Sequence, residues 1–158
     1  MTMKLHGWIA ALLLMPALAP PALAQSKTGP ASEEQYVPKL GDIMNAAQTR
    51  HIKLWYADKA ANWELAAFEL HHLKAGLVEA AMLYSGIPVT DVTTLQEPLQ
   101  SAADAIAAKD SQRFVKAYGE LTGGCNACHQ SMERSFIAIR TPTDQPFGDQ
   151  IFSPQNRR

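Results

Sequence analysis

Cys125, Asn126, Ala127, Cys128 and His129 form a C-x-x-C-H pentapeptide that contains both cysteines of the chain. Two thiols three residues apart on one helical turn can each add to one of the two vinyl groups of a single porphyrin. The next residue then presents an imidazole to the metal from the same side. This spacing is the attachment signature of haem c, one haem held covalently, with His129 as the proximal iron ligand. Paired cysteines also serve as a disulfide, as half of a zinc site or as a thioredoxin-type redox pair. Zinc wants four ligands, and no second Cys/His pair lies at finger-like spacing. The redox pair needs a strand–helix setting that this sequence does not contain.

The elements that must position the motif read as helices. No alternating, strand-like run and no internal repeat occurs beyond the N-terminal leader. Ser32-Glu33-Glu34-Gln35 resembles a capping box, opening a first helix that passes through Pro38 and ends near Lys59. Asn62 suits the N-cap of a second helix from Trp63 to about Ser85, stopped by Gly86 and Pro88. Thr94 and Glu97 form another capping box for a third helix that carries Pro98 early and fades near Lys109. Asp110 caps a fourth, Ser111 to about Arg140, with the motif in its second half. Gly123-Gly124 weakens that helix, either admitting the macrocycle to the backbone or breaking the helix locally. Buried stripes at three-four spacing run through Trp63, Ala66, Leu70, Leu73, Leu77, Ala81 and Tyr84. The third helix has Leu95, Leu99, Ala102, Ile106 and, less strongly, Lys109; the fourth has Phe114, Ala117, Tyr118 and Leu121. The expected fold is therefore all-α: an antiparallel four-helix bundle over about residues 33–140, with haem c on the last helix. A Pro- and Gly-containing tail, residues 141–158, docks through Phe147, Ile151 and Phe152.

Residues 1–24 read as a secretory signal peptide. Lys4 supplies the positive start, Trp8 to Ala19 the apolar run interrupted by Pro16, and Ala22-Leu23-Ala24 the cleavage site. The run is shorter than the about 20 apolar residues a transmembrane helix needs, so no stable span is expected after cleavage. Residues 25–158 are enough for one domain with one core. Without Lys4 they hold 13 basic against 15 acidic residues, a balance of −2. That balance points away from nucleic acid and from a polybasic membrane patch. Export implies an oxidising compartment, the bacterial periplasm, where haem c accounts for both thiols. His6 leaves with the leader.

Common small cytochromes c carry this motif near the N-terminus and bring a Met back from far downstream. Here the motif lies about 30 residues from the end, and the only later Met, Met132, shares the helical face of His129. A motif near the end of four helices resembles the cytochrome c′/c556 family, most closely around Tyr118 to His129. The resemblance implies a first helix lying against the distal side of the haem. A Met there ligates iron in six-coordinate members, and an apolar residue there leaves iron five-coordinate. Met44 most nearly matches that position, although the Arg usually found four residues earlier is Leu40 here. Met44, Gln48, His51 and Trp55 recur at spacings of four, three and four, so they share one face, flanked by Leu40, Ala47 and Leu54. His51 is thus a second candidate ligand, although a His on an apolar face is more often a core residue with its hydrogen bonds made. The sixth position stays open between His51, Met44 and no ligand. His71 falls at the edge of the second stripe and His72 points to solvent. Trp55 and Trp63 read as core or haem-wall aromatics. Arg134 and Arg140 read as solvent-facing charges within reach of a haem propionate role.

The function expected from motif and resemblance is an exported mono-haem cytochrome working as a one-electron carrier, with a redox partner protein in the periplasm. The competing class is a five-coordinate, c′-like protein binding NO or CO at an open distal face. An enzyme would need a vacant iron with Gln48 and His51 as acid/base helpers. No nucleotide loop or paired-carboxylate arrangement supports that class, so the chain is not expected to be an enzyme. The resemblance is compatible with a homodimer.

Overall fold

The computed structural model describes residues 36–155. The leader and the Ser32–Gln35 capping box lie outside the described residues. The described chain is all-helical and bundle-like, with no strand among these residues. Four longer helices are α1 (Leu40–Lys59), α2 (Trp63–Leu83), α4 (Gln96–Ala107) and α5 (Ser111–Ser131); a six-residue α3 (Val89–Thr94) precedes α4. None is long and apolar enough to cross a membrane.

α1 packs most extensively on α2, and α4 on α5, with α2–α4 and α1–α5 contacts joining the pairs. Leu54, Leu73, Phe114, Tyr118 and Leu121 form the bulk of the core. Ala57, Ala66, Ala102 and Ala105, all with no exposed surface, let the helices approach closely. A second apolar cluster of Ile43, Ala80 and Ile87 extends this packing, with Met44 and Met132 against it. Polar ties cross the same interfaces. Arg50 donates to the buried Glu69 carboxylate at 3.0 Å, joining α1 to α2, and Ser111 donates to Asp58 at 2.9 Å, joining α5 to α1.

Helix starts follow local chemistry. The Asn62 side chain accepts from the Leu65 N–H, and Asp110 accepts from the N–H groups of Gln112 and Arg113, each satisfying orphan donors of a first turn. Three helix ends use one motif: Ala61, Lys109 and Glu133 adopt φ of 50°, 53° and 57°. After each, the next N–H returns to a carbonyl five residues back: Asn62 to Ala57, Asp110 to Ala105, Arg134 to His129. These are Schellman closures in which a non-glycine residue takes the left-handed position. In the first two, the residue after the closure immediately caps the next helix.

Several boundaries differ from the sequence expectation. α1 begins at Leu40, because Pro38 disfavours helical geometry at Val37 and the Tyr84 hydroxyl holds the Pro38 carbonyl at 2.8 Å. α2 ends at Leu83, with Tyr84 extended. The Thr94–Glu97 capping box does not form. Thr93 and Thr94 instead donate to the carbonyls of Thr90 and Asp91, closing the unexpected α3. Lys109 is exposed at a helix end rather than part of a buried stripe. α5 stops at Ser131 rather than near Arg140 and runs unbroken through Gly123-Gly124. A Cβ on Gly124 would lie 2.5 Å from Leu95 Cδ2, so this glycine admits Leu95 of the α4 N-terminus. In the tail, Phe152 is buried against Tyr56 and Phe147 is half-buried beneath Lys53, whereas Ile151 is exposed.

Candidate functional site

Helical periodicity alone aligns the chemistry of α5. Tyr118, Thr122, Cys125 and His129 recur at four, three and four residues, one stripe along the helix. Its first half is buried against α1; its second half opens into a cavity of about 420 Å³. Cys125, Cys128 and His129 all line this cavity. Leu73 and Leu77 of α2 and Leu95 beside α4 form hydrocarbon wall, and α1 contributes Met44, Gln48 and His51. The size falls within the about 300–1,000 Å³ usual for small-molecule and cofactor clefts. Met44 is half-buried in the wall of the cavity.

Both cysteines are free thiols. Burial, with Cys128 nearby, pushes the Cys125 thiol up to about 11 against a backbone hydrogen bond that lowers it. Burial and the Asp91 carboxylate raise Cys128 as well. Such thiols are protonated at neutral pH, the opposite of the depressed values that activate thioredoxin-type redox cysteines.

His129 is held from one side. Its Nδ1 lies 2.8 Å from the Ile137 carbonyl oxygen. A carbonyl only accepts, so Nδ1 carries the proton and the neutral ring keeps a lone pair on Nε2. Metal-binding histidines are commonly oriented in this way. Among the described residues no three His, Cys, Asp or Glu side chains converge as an ion site, so Cys125, Cys128 and His129 do not by themselves close around a bare metal.

His51 presents a different picture. It is 2% exposed, stacked on Tyr118 with ring centroids 4.4 Å apart. Nε2 lies 2.9 Å from Thr122 Oγ1, and Nδ1 lies 2.8 Å from the Tyr118 hydroxyl. Thr122 donates its own proton to the Tyr118 carbonyl. His51 therefore donates from Nε2 and accepts at Nδ1, where the Tyr118 hydroxyl is also 3.0 Å from the His51 carbonyl. Burial lowers the imidazole to about 4, so it is neutral at pH 7. Burial and neighbouring Cys125 raise the Tyr118 phenol. Both nitrogens of His51 are thus engaged by α5, leaving neither directed to the cavity as an unused donor atom.

The remaining sequence candidates separate. Trp55 packs on Tyr118 at 4.9 Å and beneath the Lys59 ammonium, as a core aromatic. Trp63 is likewise half-buried against the core. His71 and His72 are exposed on α2, outside the cavity. Arg134 lines the mouth and donates to carbonyls of its own turn, while Arg140 is exposed. Sequence reasoning missed Tyr118 and Thr122 as partners of His51, although their four-residue spacing on the stripe was a signal. It also missed Asp91 beside Cys128 and the pair of hydrogen bonds between the Asn126 side chain and the Ile139 backbone, which depend on other chain segments. No known family model matches this sequence, and comparison with curated proteins and with solved structures finds no match.

Proposed function

We propose that this chain is an exported, periplasmic c-type cytochrome with one covalent haem, built as an antiparallel four-helix bundle of the c′/c556 kind and working as a one-electron carrier. The observation that carries the reading is the shared outlook of Cys125, Cys128 and His129 on one apolar cavity. The three-residue links between α1 and α2 and between α4 and α5 favour the antiparallel arrangement. Cys125 and Cys128 would hold the haem as thioethers and His129 Nε2 would be the proximal ligand. Haem iron takes four ligands from its own macrocycle, so the chain need supply only one or two. When bound, the haem supplies a single iron couple that gains or loses one electron.

The chain's residues do the rest. Ile137 fixes the His129 ring, the leucines exclude water, and Met44 is the cavity residue assigned as sixth ligand. His51, with both nitrogens engaged, joins α1 to α5 and is assigned no iron bond. A redox partner protein would meet the mouth of the cavity through a small, transient surface.

Expression with periplasmic export and haem-attachment machinery tests the proposal. The purified chain should carry the mass of one haem, retained on denaturation, and Cys125→Ala with Cys128→Ala should lose it. A chain without that increment refutes the reading. Ferric and ferrous spectra should be low-spin and unmoved by CO, and Met44→Ala should become high-spin and take up CO. A wild-type protein that already binds CO readily would replace electron transfer by the five-coordinate, gas-binding class.

A further inference from the structure

We propose that Asn126, the first residue between the two cysteines, is a positioning residue that sets the His129 ring by clasping the chain returning from α5. It rests on the cytochrome reading only where iron is concerned; the geometry belongs to the polypeptide. Asn126 sits in the interior of a helix, where asparagine is a weak former. Its side chain is spent on one residue of a different segment. Nδ2 donates to the Ile139 carbonyl at 2.8 Å, and the Ile139 N–H donates to Oδ1 at 2.7 Å. One amide thus satisfies both backbone groups of Ile139, as a neighbouring strand would.

The path between the two anchors is short and tightly turned. Glu133, in the left-handed region, reverses the chain after Met132, and the Arg134 N–H closes on the His129 carbonyl at 2.7 Å. Ile137 then donates to the Arg134 carbonyl at 2.8 Å. The segment is pinned at Arg134 by the helix end and at Ile139 by Asn126. Between these pins its Ile137 carbonyl receives the His129 Nδ1–H. Between the pins the side chains hold the segment weakly: Ser135, Phe136 and Ile137 are exposed, Phe136 at 79%, and the Arg134 guanidinium bonds only to carbonyls of its own turn. Loss of the Asn126 pin therefore frees the carbonyl that fixes the ring, one turn away on the same helix. Asn126 does not itself line the cavity, although Ile137 and Ile139 do; it acts on the His129 ring through the segment that carries Ile137.

The test compares the full chain as purified with Asn126→Ala and Asn126→Asp, by hydrogen exchange and ¹⁵N NMR. In Asn126→Ala the Ile139 amide should exchange about tenfold faster, the loss expected from a hydrogen-bonded pair. The His129 Nδ1–H proton should exchange faster in step, and its ¹⁵N signal should move away from the hydrogen-bonded position. Asn126→Asp keeps an acceptor for the Ile139 N–H but cannot donate to its carbonyl, so it should fall between. A faster Ile139 amide with an unchanged His129 signal overturns the proposal, leaving Asn126 as a loop tie alone. Unchanged exchange at Ile139 overturns it too. A chain that carries no haem refutes the cytochrome reading, while the same two signals still decide the role of Asn126.

Discussion

Replacing His51 with glutamine, which has donor and acceptor atoms but does not titrate, should flatten the pH dependence of stability between pH 7 and pH 4. Burial holds the native imidazole at about 4, against 6.5 for the free group. Between those values the unfolded chain binds more protons than the native one, so stability rises with pH through the window. The contribution is fully present above about pH 6.5 and is lost as the pH falls toward 4. Integrating that difference gives a loss of about 1.4 kcal/mol by pH 5.5 and about 3 kcal/mol by pH 4. The structural cause is burial: a proton added at Nδ1 reverses the bond with the Tyr118 hydroxyl, which then donates to the His51 carbonyl alone, and the cation has no buried carboxylate partner in its hydrogen-bond network. The two proteins differ at position 51 alone, so the difference between their curves isolates His51. Urea unfolding followed by circular dichroism at several pH values across this window gives both stability curves. If the two curves run parallel from pH 7 to pH 4, the buried neutral imidazole described here is wrong.

Two further perturbations test the packing without reference to any cofactor. Nothing lies within 4 Å of a Cβ at Gly123, so Gly123→Ala should stabilise α5 by about 0.5–1 kcal/mol. At Gly124 the added Cβ meets Leu95, and overpacking of about 1–3 kcal/mol against a propensity gain of about 1 kcal/mol should leave a net loss of about 1 kcal/mol. Thermal melts showing the same sign for both substitutions would refute the Leu95 contact. Lys109→Gly and Glu133→Gly relieve left-handed backbone strain and should each stabilise by about 0.5–1 kcal/mol, read as a higher urea midpoint; a lower midpoint would contradict those helix ends.

What could be read from the sequence was what one helix writes into its own spacing. The Phe114, Ala117, Tyr118, Leu121 stripe is buried as expected, and Asn62 and Asp110 cap the helices their side chains suggested. Cys125, Cys128 and His129 share a cavity with Met44 and His51. The departures have two origins, helix ends closed without the usual residues and a contact between distant segments. No glycine marks the end of α5, so spacing alone carries the helix too far; Glu133 takes the left-handed position at a steric cost the closure offsets. Gly123-Gly124 looked like one weak spot, yet only Gly124 has a neighbour, and that neighbour is Leu95. α3 was invisible because Val89, Thr90, Val92, Thr93 and Thr94 are β-branched, and threonine back-bonding rather than propensity closes its turn.

The continuity of α5 is what makes the site a single object. Tyr118 and Thr122 meet α1 through His51, Gly124 meets Leu95 at the start of α4, and Asn126 and His129 meet the returning segment through Ile139 and Ile137. Tyr118, Thr122 and His129 share one stripe with Asn126 at its edge, and Gly124 falls on another side, all within about three turns. Each residue rotates the helix face by about 100°, so a break at Gly123 would uncouple the thiols and imidazole from His51. The unbroken helix instead carries the register set at Tyr118 through to His129. The buried His51 pair fixes how α5 is rotated against α1, and hence which α5 side chains look into the cavity opposite Met44. The clasp beyond the helix fixes the remaining freedom, the rotation of the His129 ring about its own side-chain bonds. Backbone register and ring orientation are therefore set by separate contacts, and a substitution at one should leave the other in place.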